Sequence, residues 1–180
     1  MTDYDRPHHL ILGGARSGKS AFAEREALAT SGAAERFIYI ATAEAHDDAM
    51  AARIAHHRAH RDARWQTVEA PLQLGATLVQ HDAPDTVILV DCLSLWLSNA
   101  LAADCWEAER AGLIEALSAC RGRVLLVSNE VGSGVVPLGE LSRVFVDEAG
   151  RLHQALAGLC ARVSLVVAGL PLDLKSSAPS

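Results

Sequence analysis

The sequence predicts an α/β fold, a mostly parallel sheet flanked by helices, and three observations carry that expectation. Short runs rich in Val, Ile and Leu recur along the chain: HLIL (9–12), FIYIA (37–41), TVILVD (86–91), RVLLVS (123–128) and VSLVVAG (163–169). They lack polar alternation, as strands buried on both faces of a helix-covered parallel sheet do. Longer segments with helical patterning separate them, which gives the βαβ alternation of this class. Directly after the first run stands GGARSGKS (13–20), a glycine-rich phosphate-binding pattern that belongs between a strand and a helix.

The elements follow in order. The run 9–12 is the first strand. Residues 19–30 form the first helix, ending at Ser31-Gly32, a suitable C-cap. The second strand is 37–41. A helix over 47–61 begins at Asp47 and Asp48, whose charges suit a helix N-terminus. WQTVE (65–69) reads as a short extra strand. Helices over 72–81, 93–103, 106–120 and 139–160 alternate with the remaining strands. Residues 1–8 read as a loose arm and 176–180 as a frayed tail, so that 1–180 is a single nucleotide-binding domain.

Composition narrows the classes. The chain has 180 residues, half of them hydrophobic and 21% charged, which excludes wholesale disorder. A formal charge of −6 argues against a nucleic-acid partner. No apolar stretch approaches the roughly 20 residues of a membrane span, and the polar start MTDYDRPHH has no signal-peptide core. A cytoplasmic protein is expected. Cys92, Cys105, Cys120 and Cys160 form no CxxC pair, and they read as small buried hydrophobes.

The phosphate loop carries the strongest chemistry. Gly13, Gly18, Lys19 and Ser20 occupy the fixed places of G-x-x-x-x-G-K-[ST], with Gly14, Ala15, Arg16 and Ser17 between them. Glycine lets the backbone turn back and aim successive N–H groups at phosphate oxygens. Lys19 brings a cation to the β and γ phosphates, and Ser20 offers a hydroxyl to Mg²⁺. The helix that follows points its positive end at the same anion. Arg16 either touches phosphate or is solvated.

A second metal group is expected at the tip of a buried strand. TVILVD ends in Asp91, at the sheet edge where such folds bind ligands. Asp91 either holds Mg²⁺, directly or through water, or caps the helix 93–103. Asn129 and Glu130, beyond RVLLVS, are candidates for positioning phosphate, water or acceptor, or are ordinary turn residues.

DDAMAARIAHHRAHR (47–61) holds three histidines among arginines. At helical pitch, Met50, Ile54, His57 and Arg61 fall within roughly 60° of one another, so His57 shares the apolar face. Three readings stand. His56 and His60 form an i, i+4 metal pair that lacks a third ligand. Alternatively the helix is a solvated face. In the third reading a neutral imidazole, its pKa depressed by nearby Arg, attacks phosphorus as a nucleophile.

Taken together, GGARSGKS, YIATAEAHDDAMAARIAHHRAHR, WQTVEAP, VDCLSLWLSN, SNEVGSGVVP and VVAGLPLDLK resemble the bifunctional adenosylcobinamide kinase / adenosylcobinamide-phosphate guanylyltransferase family, from about residue 9 to 175. The resemblance implies a RecA-like P-loop fold, a homotrimer, Mg²⁺, and GTP or ATP as substrates. It implies two reactions. Adenosylcobinamide is phosphorylated on its aminopropanol hydroxyl. GTP then gives GMP to an enzyme histidine, from which adenosylcobinamide phosphate takes it to form adenosylcobinamide-GDP. The family pattern R-I-x-x-H-x-x-x-R places that histidine on His57, with His56 the off-by-one alternative. The same carry-over puts guanine nucleotide contacts at the 13–20 loop, Ile40, Ala41, Thr42, Arg58, Arg61, Glu69 and Asp91. A covalent histidine intermediate separates pyrophosphate departure from acceptor arrival, so the helix 47–61 is expected to move against the phosphate loop, with hinges near 43–46 and 62–63. Two rivals remain: a plain P-loop small-molecule kinase with a silent His57, and a P-loop nucleotide switch or RecA-like ATPase. His8, His9, His46, His81 and His153 are expected at the surface or at helix ends.

Overall fold

In the computed structural model, the described residues are 8–29, 36–44 and 61–176. Seven strands form one sheet: β1 (His9–Gly13), β2 (Arg36–Ala41), β3 (Trp65–Glu69), β4 (Thr86–Asp91), β5 (Arg123–Asn129), β6 (Arg162–Val167) and β7 (Leu170–Lys175). Their order across the sheet is β3-β2-β4-β5-β1-β6-β7. All neighbouring pairs are parallel except β6 and β7. The described helices are α1 (Lys19–Ala29), α2 (Leu74–His81), α3 (Leu93–Ala102), α4 (Trp106–Ala119) and α5 (Glu140–Leu159). This is the α/β architecture that the unbroken apolar runs predict, and the WQTVE strand is present as the sheet's edge.

Two cores explain why those runs show no alternation. Leu10, Leu12, Ile38, Ile40, Ile88, Val90, Val124 and Leu126 face α2, α3, α4 and α5. The residues between them, Ile11, Phe37, Tyr39, Val87, Leu89, Leu125 and Val127, pack with Phe22, Ala23 and Ala27 of α1. Successive side chains still point to opposite faces, but helices bury both, so each face demands an apolar residue. All four cysteines are free thiols; Cys92 and Cys160 are buried as expected, while Cys105 and Cys120 are half-buried. Burial pushes the Cys160 thiol up to about 12.

The helices pack closely where glycine allows it. A Cβ on Gly75 in α2 would lie 2.4 Å from the carbonyl oxygen of Gly112 in α4. Backbone meets backbone there, so no side chain can yield. Gly75→Ala is expected to destabilise the protein by about 1–3 kcal/mol, measured as a lower midpoint of urea unfolding. Glu109 in α4 accepts hydrogen bonds from the Gln73 and Leu74 N–H groups (2.9 and 3.4 Å) and from Trp96 Nε1 (2.8 Å). It thereby serves as the start of α2, whose own N-cap side chain makes no capping bond.

Three features differ from the sequence reading. The run 163–169 ends as a strand at Val167, and a two-residue turn with positive φ at Ala168 and Gly169 sends the chain back as β7. Such a turn matches the twist of a hairpin. Pro171 and Asp173 conceal the strand in sequence, and both are tolerated because β7 is an edge strand. Arg61, placed at the end of a helix by its periodicity, lies in a bend ahead of β3; the rest of that helix, including His56, His57, Arg58 and His60, lies outside the described residues, as do Ser31-Gly32 and His46.

The histidines are the third difference. His81 ends α2 as expected. His8 and His9 are each 1% exposed, at the foot of the sheet rather than on its surface. His9 Nε2 lies 2.8 Å from Ser164 Oγ, which donates to Asp173 Oδ1 at 2.6 Å. Asp173 also pairs with Arg162, and Glu26 pairs with both Arg162 and Arg123. Burial, helped by the charges of Arg162 and Arg123 and opposed by Asp173, lowers the His9 pKa from 6.5 to about 3. Between those values the native state binds fewer protons than the unfolded chain. Stability is therefore full above about pH 6.5 and falls as the pH falls toward 3. Urea midpoints should drop on acidification through that window, and His9→Gln should flatten the drop.

Candidate nucleotide-binding active site

Parallel strands bring the predicted residues to one edge. Gly13 pairs in register with Asn129, Ala41 with Asp91 and with Glu69, and Asp91 with Val127. The carboxyl ends of β1 to β5 thus line up along a single rim. One strand, β5, separates the phosphate-loop strand β1 from β4, which carries Asp91. The strand order reverses direction at β1, where ligands bind in sheets of this kind.

The loop 13–20 joins β1 to α1. Its turn uses positive φ at Arg16 (57°) and Gly18 (91°). Gly18 meets a second constraint, since a Cβ there would lie 3.2 Å from Gly169 Cα. Lys19 is 8% exposed, and its Nζ donates to Gly14 O at 3.1 Å, folding the ammonium over the loop. Ser17 N donates to the same oxygen at 3.2 Å. Gly14, Ala15 and Arg16 are exposed and Ser20 is half-buried. The loop is held from two sides. Glu130 N donates to Gly13 O at 3.0 Å, and Gly169 N donates to Ser17 O at 2.8 Å. The first turn of α1 holds no acidic residue, so its positive end is free of a competing carboxylate. A loop held in this way, with a helix N-terminus and a lysine behind it, is built to receive phosphate oxygens.

Asp91 closes β4. It does not cap α3, whose N-cap is Cys92; instead its Oδ2 accepts a 2.7 Å bond from the Tyr39 hydroxyl. Tyr39 belongs to the core against α1, so Asp91 faces the helix that leaves the phosphate loop. Glu24 of α1 is close enough for Asp91 and Arg61 to act on its carboxyl, which burial raises above the usual range. Ser20 and Asp91 both offer oxygen. Among the described residues no group of three or more His, Cys, Asp or Glu gathers. That sparse oxygen set fits Mg²⁺, which keeps waters and takes substrate phosphates as its other ligands.

The residues at the tip of β2 differ in what they can offer. Ile40 is fully buried. Thr42 Oγ1 donates to Cys92 O (2.7 Å) and accepts from Cys92 N (2.9 Å), while Asn99 Nδ2 donates to Thr42 O (3.0 Å). This tip locks β2 to the start of α3 and shapes the floor of the rim. Ala41 is half-buried and Glu69 exposed. Arg61 Nη1 donates to Thr67 Oγ1 at 2.7 Å, and its guanidinium carbon lies 3.3 Å from the Tyr39 ring centroid.

The tip of β5 carries a group the sequence did not disclose. His153, expected at a surface or helix end, sits within α5, half-buried, with Nε2 2.8 Å from Ser128 Oγ. Burial lowers its pKa, against the pull of Glu130. Ser94 Oγ lies 3.5 Å from Ser128 Oγ and accepts from Asn129 N at 2.8 Å. The Ser133 hydroxyl and the Gly132 and Ser133 N–H groups hold the Glu130 carboxylate below its ordinary range. Asn129 and Glu130 are therefore fixed beside the phosphate loop by α3, α5 and their own loop. In sequence, His153 is one residue of a helical pattern, and nothing marks Ser128 as its partner.

Comparison with known proteins agrees with this geometry. The family model described as cobinamide kinase / cobinamide phosphate guanyltransferase matches residues 9–174. A Pseudomonas aeruginosa protein named bifunctional adenosylcobalamin biosynthesis protein CobP is 58% identical over 169 residues, covering 92% of this chain and 96% of that protein. The Salmonella typhimurium protein named bifunctional adenosylcobalamin biosynthesis protein CobU is 42% identical over 182 residues, covering 92% and 98%. Among solved structures, an ATPase domain superposes with a TM-score of 0.55 at 12% identity, covering 97% of this chain and 78% of that one. This likeness concerns the fold alone, a RecA-like P-loop architecture. No described helix is long and apolar enough to cross a membrane. By its match over nearly the whole length, the chain belongs to the cobinamide kinase / cobinamide phosphate guanyltransferase family.

Proposed function

We propose that this protein phosphorylates adenosylcobinamide with GTP or ATP and then transfers GMP from GTP, through a guanylyl-histidine, to adenosylcobinamide phosphate. The observation that carries the reading is the shared rim, where the phosphate loop, Asp91, Glu69 and the start of the Asn129–Glu130 tip lie at one sheet edge. The family match adds the acceptor class.

In the kinase step, the loop N–H groups and Lys19 hold the β and γ phosphates as charge moves onto the leaving oxygen. Ser20 and Asp91 are the residues that would hold Mg²⁺, which would supply charge neutralisation at the phosphates. The substrate hydroxyl attacks the γ-phosphorus, and the bond to the β-phosphate oxygen breaks. In the transferase step, a ring nitrogen of His57 attacks the α-phosphorus of GTP. A P–N bond forms and pyrophosphate leaves from the loop. A phosphate oxygen of adenosylcobinamide phosphate then attacks that phosphorus and the P–N bond breaks, freeing His57. Arg58, Arg61 and Glu69 are proposed nucleotide contacts, and Ala41 and Thr42 the floor beneath it. A cytoplasmic homotrimer is the proposed setting.

The test uses two labels with adenosylcobinamide and Mg²⁺. Label from the γ-phosphate should appear in a cobinamide phosphate, and label from the α-phosphate of GTP in a cobinamide nucleotide. Transfer of the γ label alone would leave a plain kinase. Release of γ label only as inorganic phosphate would leave a nucleotide switch or ATPase.

A further inference from the structure

Tyr39, which lies between the proposed nucleotide contact Arg61 and the proposed metal residue Asp91, has no part of its own in either proposed reaction. Tyr39 lies two residues before the end of β2. Its backbone pairs with Leu89, while Ala41 pairs with Asp91. The phenol therefore reaches diagonally along the sheet face to Asp91, a cross-strand distance that long aromatic side chains span. Tyr39 is 3% exposed. Its ring packs edge-on against Trp65, at 5.9 Å between centroids. Phenylalanine would fill that space as well, as Phe37 does on the same face. The hydroxyl is what packing does not require, and it is bonded to the Asp91 carboxylate at 2.7 Å.

The ring is also held from the other side. The Arg61 guanidinium stacks on it at 3.3 Å while Thr67 Oγ1 fixes Nη1 at 2.7 Å. Among the described residues, buried Arg61 Nε has no hydrogen-bond partner. Among the described residues, the aromatic face and Thr67 place the guanidinium. The clamped phenol holds Asp91 through Oδ2.

We infer that Tyr39 is a positioning residue that orients the Asp91 carboxylate for the metal–nucleotide complex, with Arg61 clamping its ring. The inference rests on the proposed role of Asp91. It assigns Tyr39 no contact with substrate. Partners that orient metal-binding carboxylates commonly contribute about 10-fold or more to metal affinity.

The probe is Mn²⁺ with the unreactive analogue α,β-methylene-GTP, followed by electron paramagnetic resonance of bound against free Mn²⁺, together with the melting temperature of each protein. Tyr39→Phe keeps the ring and its clamp and removes one oxygen. It should melt like the wild type and bind Mn²⁺ about 10-fold more weakly. Adding Tyr39→Phe to Asp91→Asn should weaken binding no further than Asp91→Asn alone, because the hydroxyl acts through the carboxylate. Thr67→Val, which frees one side of Arg61, should weaken Mn²⁺ in the same direction by a smaller factor. It also serves as the test if Tyr39→Phe does not fold. Unchanged Mn²⁺ affinity in the folded single variants, or effects of Tyr39→Phe and Asp91→Asn that multiply, would overturn the inference. Wild-type protein that binds the analogue but no Mn²⁺ would instead overturn the proposed role of Asp91.

Discussion

Replacing His57 with alanine is expected to abolish guanylyl transfer, by about 10³-fold or more, while phosphorylation of adenosylcobinamide stays within a few-fold of wild type. The two reactions place different demands on the chain. Phosphorylation needs the loop, Lys19 and Asp91, which the sheet edge holds. Guanylyl transfer needs a nucleophile that stores GMP while pyrophosphate leaves and the acceptor arrives. In the helix that the sequence predicts over 47–61, His57 and not His56 shares the apolar face with Met50 and Ile54. His56→Ala should therefore retain both reactions. Parallel assays of the two label transfers on each variant separate the outcomes. Loss of transfer in His56→Ala with retention in His57→Ala would move the nucleophile by one residue.

Lys19→Met is expected to have the other large effect, and it should strike both reactions together. Its ammonium lies folded over the loop on Gly14 O, behind the positive end of α1. Both steps expel a phosphate leaving group from that loop. Removing the cation built into its backbone cradle should lower each turnover by about 10²-fold or more. The fold should persist, since Glu130 N and Gly169 N hold the loop through Gly13 O and Ser17 O whatever side chain stands at position 19. Assays of each step at saturating nucleotide, with a thermal melt as the folding control, check the prediction. A variant impaired in only one reaction would mean that the second nucleotide phosphate binds elsewhere.

The sheet was legible because burial on both faces forces unbroken apolar runs, and the phosphate loop because its backbone shape permits so few residues. Asp91 was legible for a related reason, as a charge at the end of such a run has to lie at the sheet's rim. What stayed hidden depends on register and on contacts distant in sequence. Tyr39 and Asp91 are 52 positions apart, and His153 and Ser128 are 25 apart; both pairs form across elements. The burial of His8 and His9 was hidden too, because a polar residue entering a sheet reads like a surface residue until its partner, here Ser164 for His9, is known. Edge strand β7 escaped because Pro171 and Asp173 mimic the end of the sheet. Thr42 is a further case. The resemblance assigns it to the nucleotide, and nothing in the sequence shows that its hydroxyl donates to Cys92 O and accepts from Cys92 N.

The central claim is that GMP passes through a covalent bond to this chain. Its most direct test is GTP labelled at the α-phosphate, with Mg²⁺ and no acceptor, followed by denaturation of the protein. Retained label is expected, acid-labile and alkali-stable, present in wild type and in His56→Ala, and absent in His57→Ala. Folded protein that phosphorylates adenosylcobinamide yet retains no label would contradict it.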